Sequence, residues 1–205
     1  LKSDQEHSIV ALKETIAQLR RSETTMEESP VGQSQSNGSI ERAMRAFKGQ
    51  ARTMLDDIQH KLGTELPPDS AVLHWLIQWA VGTMNRYKIG NDNLTAMQRL
   101  RGRADHTKIA AFGEWVQCMK LKPKNEPRSI DTKDWENGIW VGLCVSSSEH
   151  LVMTPQGVIR AYTIKRRPEE QKWSMQRIQE ARGTPQQPDP TKPGSFIPVR
   201  IRKKR

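Results

Sequence analysis

Glu41, Arg45, Lys48 and Arg52 stand at i, i+4, i+7 and i+11, so a helix through them sets one carboxylate and three cations in a single row, with Arg42 beside it. The polar stretch "SPVGQSQSNG" (29–38) precedes them and bends freely. Asp4 lies 37 positions before Glu41, directly after "LKS", which reads as the end of a strand. Two-metal phosphoryl transfer needs several carboxylates converging on two divalent cations, because the ions clamp both the attacking and the leaving oxygen. Hard oxygen ligands suit Mg²⁺ or Mn²⁺. An acid at a strand end and an acid at a helix start can meet across such a site, and the cations behind Glu41 suit phosphates. A plainer explanation stays open: acids favour a helix start, bases its later turns, and exposed faces are often charged.

The elements that must hold these residues follow from periodicity. Ile9, Leu12, Ile16 and Leu19 predict a helix over 5–21, with Ser3 and Glu6 as its capping box. "TTMEE" (24–28) reads as a short strand. Ile40, Met44, Phe47, Ala51, Leu55, Ile58 and Leu62 form one apolar stripe on a helix from about 38 to 62, ended by Gly63. A third helix opens near Pro68 or Asp69 and runs to about Tyr87, its Trp75 and Trp79 reading as core first and as an interface face second. "LTAMQRLRG" is a short amphipathic helix. Then "GEWVQCMKL", "GIWVGLCV", "HLVMT" and "VIRAYTI" are β-rich, the last two joined by the turn "PQG". Trp115, Trp135 and Trp140 fall in this region, as buried core first and as base-stacking platforms second. Residues 168–181 read as one more exposed helix, and 183–205 as an unstructured basic tail.

Charge separates the segments. Residues 1–98 hold eleven Lys and Arg against twelve Asp and Glu, 99–124 seven against two, 125–156 two against five, and 157–205 thirteen against four. The excess sits at the end, where "RIRKKR" would release counterions from a polyphosphate or serve as an import or solubilising tail. No apolar run approaches the roughly 20 residues of a membrane span, and no signal pattern opens the chain. The expected setting is nuclear or cytoplasmic, neither secreted nor in a membrane. Cys118 and Cys144 lack metal-ligand spacing and read as reduced thiols.

The pattern "SPVGQSQSNGSIERAMR" resembles the segment around the last glutamate of the D,D-35-E integrase core, most of all in copia-type retrotransposons. "MNRYKIGNDNLTAMQRLRGR" (84–103) resembles the family's segment after the core, and "FGEWVQ" with "WENGIWVGLCVSSSEHLVMTPQGVIRAYTIKRR" resembles the small β-domain that follows; the likeness spans about residues 1–167. It implies an α+β fold: part of an RNase H-like core, mainly its helices (1–66), a helical extension (67–105), a small SH3-like or β-barrel-type domain (106–167), and a helix with a disordered basic tail (168–205). It implies that Asp4 and Glu41 are catalytic acids holding Mg²⁺ or Mn²⁺. Asn37, Arg42, Arg45, Lys48 and Arg52, with Arg202, Lys203, Lys204 and Arg205 of the tail, would contact DNA. The implied reaction is metal-dependent processing of a DNA 3′-end and strand transfer, with element ends and target DNA as partners and a homo-oligomer as the intact form. The family's first catalytic aspartate lies on a strand that would precede Leu1, so these residues alone are expected not to catalyse transfer. Asn-Gly usually follows the family's second aspartate, where Gln5 and Glu6 follow Asp4 here. The alternative is a non-catalytic, transposon-derived nucleic-acid-binding or assembly protein.

Overall fold

A computed structural model describes residues 2–3, 6–28, 38–119 and 135–194. The chain is mixed α+β and divides into two compact units, residues 1–48 and 49–205.

The first unit opens with strand β1 (Lys2–Ser3), helix α1 (His7–Leu19) and strand β2 (Glu27–Glu28). β1 and β2 pair in parallel, Lys2 against Glu27 and Ser3 against Glu28. Parallel neighbours need a crossover, and α1 is that crossover. Lys13 ties it down, its Nζ donating to the Glu27 carbonyl at 3.0 Å. The expected capping box does not form. Ser3 belongs to β1, the N-cap is Glu6 with no side-chain cap bond, and the Glu6 carboxylate accepts from Ser8 Oγ instead. Helix α2 (Gly38–Leu62) contributes residues 38–48 to this unit. Its span matches the periodicity, but the apolar stripe is not buried along its whole length: Ile40 is 63% and Met44 48% exposed. Among the described residues of the unit, Lys13 is the one buried side chain.

In the second unit the rest of α2 supplies buried Ile58 and half-buried Ala51, Met54, Leu55 and Leu62 to one core. Helix α3 (Ala71–Tyr87) lays Val72, Trp75, Leu76, Trp79 and Ala80 into the same core. Helix α4 (Ala96–Arg101) is fixed at both ends by local chemistry: Thr95 and Gln98 form a capping box, and Gly102 turns left-handed to stop it.

Five antiparallel strands follow: β3 (Trp115–Met119), β4 (Trp135–Leu143), β5 (His150–Thr154), β6 (Gly157–Ala161) and β7 (Ile164–Arg166). Their order across the open sheet is β6-β5-β4-β3-β7, so four consecutive strands lie side by side in sequence order and the last strand returns to pair with the first. The ladder between β4 and β5 shifts at Trp140 to Gly142, and β4 carries a bulge there. At that place Trp79 of α3 meets Trp140 edge-on, ring centroids 5.1 Å apart at 86°. Gly142 has φ +134°, and a Cβ on it would sit 2.8 Å from the Trp79 ring. At ~25 cal/mol per Å² and roughly 200 Å² per ring, each fully buried Trp contributes about 5 kcal/mol. Surface ion pairs contribute ~0–1 kcal/mol each, so the tryptophans dominate.

Two expectations for the end of the chain are corrected. Residues 168–181 form a 3₁₀ turn (Glu169–Gln171) and a short helix α5 (Met175–Glu180), and Ile178 and Ala181 are buried, so this is not one exposed helix. Residues 183–194 are not an unstructured tail. Trp75 Nε1 donates to the Gly183 carbonyl at 2.9 Å, Arg182 N–H to Thr154 at 3.0 Å, and Val158 N–H to Pro188 at 2.8 Å. The strap passes so near β6 that a Cβ on Gly157 would lie 2.7 Å from the Pro188 carbonyl oxygen. Cys118 and Cys144 form no disulfide. Among the described residues no helix is long and apolar enough to cross a membrane.

Candidate nucleic-acid interface

Glu41 lies in the first turn of α2, and His60 and Lys61 in its last, so acid and base follow the helix dipole. Arg42, Arg45 and Lys48 are exposed along residues 38–48, as Glu41 is, and Arg52 is exposed in the second unit. None of these side chains is committed to a core. Asp4, Asn37, Arg202, Lys203, Lys204 and Arg205 lie outside the described residues. Lys2–Ser3, which precede Asp4 in the sequence, form β1, the strand that "LKS" suggests. Among the described residues no group of three or more His, Cys, Asp and Glu is arranged to hold a metal ion. Glu41 is the one candidate metal-holding acid among the described residues, where a two-ion clamp needs several.

The sheet of the second unit presents a second basic surface. Directly paired residues in an antiparallel ladder share a face. Gln117 pairs with both Asn137 and Lys165, and Met119 pairs with Trp135. Alternation adds Arg167, just past β7, whose guanidinium donates to the Asn137 side-chain oxygen. One face of β7-β3-β4 therefore carries Lys165, Arg167, Gln117, Asn137, Met119 and Trp135. Asn137 and Lys165 are exposed, Met119 is 40% exposed, and the other three are half-buried. Lys165 Nζ stands 4.1 Å over the Trp135 ring. Further along the same face Arg177 of α5 covers Trp115, its Cζ 4.5 Å from the ring centroid.

The opposite side of β7 is held by a buried acid. Arg166 donates from Nε and Nη2 to the two Glu114 carboxylate oxygens at 2.8 and 2.7 Å, and Ala111 N–H donates to the same carboxylate at 3.0 Å. This bidentate grip fixes the strand that carries Lys165.

No family model matches this chain, and no curated protein matches it.

The expectation that Trp115, Trp135 and Trp140 are all core is met in full by Trp140, which is fully buried and donates from Nε1 to His150 Nδ1 at 3.1 Å, and in part by Trp115, which packs half-buried against the same core. Trp115 and Trp135 are half-buried under cations because their strand positions have the parity opposite to Val116 and Cys118, which are buried. Lys165 and Arg167 were not among the sequence candidates. The signal for them is the two-residue alternation in "IKRR", legible only once the run "VIRAYTI" is seen to break at Tyr162–Thr163 into β6 and β7.

Proposed function

We propose that this chain is part of a copia-type retrotransposon integrase that binds DNA, with Arg42, Arg45, Lys48 and Arg52 of α2 gripping the phosphates of a DNA end. The observation that carries the reading is the parallel β1-α1-β2 pair, with Asp4 next after β1 and Glu41 in the first turn of the helix that follows. That order is the one an RNase H-like core uses to set two of its metal-holding acids. On this reading Asp4 and Glu41 are those two acids, Mg²⁺ or Mn²⁺ is the ion, and Asn37 lies beside Glu41 at the DNA end.

The sheet order β7-β3-β4-β5-β6, with a bulged β4, supports an SH3-like domain after the core. DNA is the partner, through the α2 cations and through the terminal Arg202, Lys203, Lys204 and Arg205. Further copies of the chain are the second partner, and the setting is nuclear or cytoplasmic, where thiols stay reduced.

A gel shift on a blunt duplex tests the grip. Arg45→Glu with Lys48→Glu weakens binding by roughly tenfold or more and lowers the salt slope by about two. Unchanged affinity and slope would remove the α2 row from the interface.

The second reading is a non-catalytic, transposon-derived nucleic-acid-binding or assembly protein. It is favoured by the placement of Glu41 at an exposed helix start with bases in the last turn, which the helix dipole explains without a metal. Magnesium titration followed by NMR separates the two. Joint shifts at Asp4 and Glu41 support the integrase reading, and shifts at neither support the second.

A further inference from the structure

We propose that the open face of β7-β3-β4 binds an unpaired DNA strand, with bases stacked on Trp135 and phosphates held by Lys165 and Arg167. The choice of DNA rests on the function proposed above; the preference for an unpaired strand rests on the geometry of this face.

Lys165, Gln117 and Asn137 form one row across three adjacent strands, about 10 Å from end to end. Met119 and Trp135 form the next row. Two cations, two amides, a thioether and an indole share the surface, and no carboxylate stands at any of the six positions. The composition fits a polyanion whose bases are turned towards the protein.

Trp135 decides which form of DNA. Its ring face is covered by the Lys165 ammonium at 4.1 Å, the tip of an exposed, flexible side chain. An incoming base can take that ring face while the ammonium moves to the neighbouring phosphate, so a cation–π contact is exchanged for a stack and a charge pair. The interior of a duplex cannot make this exchange, because its base faces are already stacked on one another. Gln117 and Asn137 then lie beside the stacked base, where amides donate to and accept from its edge. Towards the other end, α5 closes the face with Arg177 over Trp115, which limits the open part to the rows named.

The test uses the full chain with a thymidine oligonucleotide of about 10 nucleotides, a uridine oligonucleotide of the same length and a blunt duplex, read by tryptophan fluorescence and by affinity. The thymidine strand is expected to quench fluorescence, and Trp135→Leu to remove that component and weaken single-strand binding ~10-fold with little change for the duplex. Lys165→Gln, at an exposed site that leaves the fold alone, is expected to lower the single-strand salt slope by about 0.7. The proposal is overturned if neither substitution alters single-strand binding, or if the uridine strand binds more tightly than the thymidine one. Failure here leaves the α2 result intact. Loss of duplex binding in the Arg45→Glu and Lys48→Glu protein with single-strand binding retained shows two separate surfaces.

Discussion

Glu114 has no exposed atom, yet its charge is answered on both oxygens, and Arg166, which answers it, is 52% exposed in its side chain. Removing the arginine strands a buried carboxylate. For a fully enclosed pair that costs about 3–5 kcal/mol; with one partner half in water the expected cost of Arg166→Ala is ~2 kcal/mol, read as a lower urea midpoint. His150 is the opposite kind of buried polar group. Burial holds its imidazole below the ordinary histidine range, and Nδ1 already accepts from Trp140, so the folded chain prefers the neutral ring. The unfolded chain takes the proton more readily. Stability is therefore full above about pH 6.5 and falls as pH drops below that towards the lowered folded value. Urea midpoints at pH values on either side of it, in the native chain and in His150→Gln, check this: the acid loss shrinks in the variant. The Glu114–Arg166 pairing is not legible in the sequence, because the two are 52 residues apart and nothing local marks them as neighbours.

At the scale of elements, the helices were legible where apolar residues recur with helical period and a glycine or serine marks the end. α2 and α3 follow that pattern, and the short α4 follows its capping box. The sheet strands were legible from their β-rich runs. What periodicity does not reveal is which positions of a stripe find a partner, and hence the exposure of Ile40 and Met44. It also does not show where a β-run breaks, and so the division of β6 from β7 and the face that carries Lys165. The meeting of α3 with the bulge of β4 depends on a glycine whose role is invisible in one dimension. Gly142→Ala is expected to cost ~2 kcal/mol or more, since it adds strain at φ +134° to a clash with Trp79. Thermal unfolding measures it, and the Gly142→Ala chain should also lose near-ultraviolet ellipticity from the Trp79–Trp140 pair.

At the scale of the molecule, the buried apolar residues among those described all belong to the second unit. Amide exchange should therefore be slowest in α3, β4 and β5 and fast in α1 and in residues 38–48 of α2; equal protection in both units would contradict this distribution of core. The candidate acids rest on residue types and spacing, with Asp4 outside the described residues, whereas the basic sheet face could not be read from the sequence, since it arises only when three strands come into register. The strap from Ala181 to Pro190 has a meaning for the molecule's company as well as for its core. By occupying the Val158 amide it takes away a donor that a foreign strand would use to extend the sheet beyond β6. A chain ended at Arg182 would offer that border to its neighbours and should form ribbons by edge-to-edge growth, seen as concentration-dependent light scattering that the longer chain does not show.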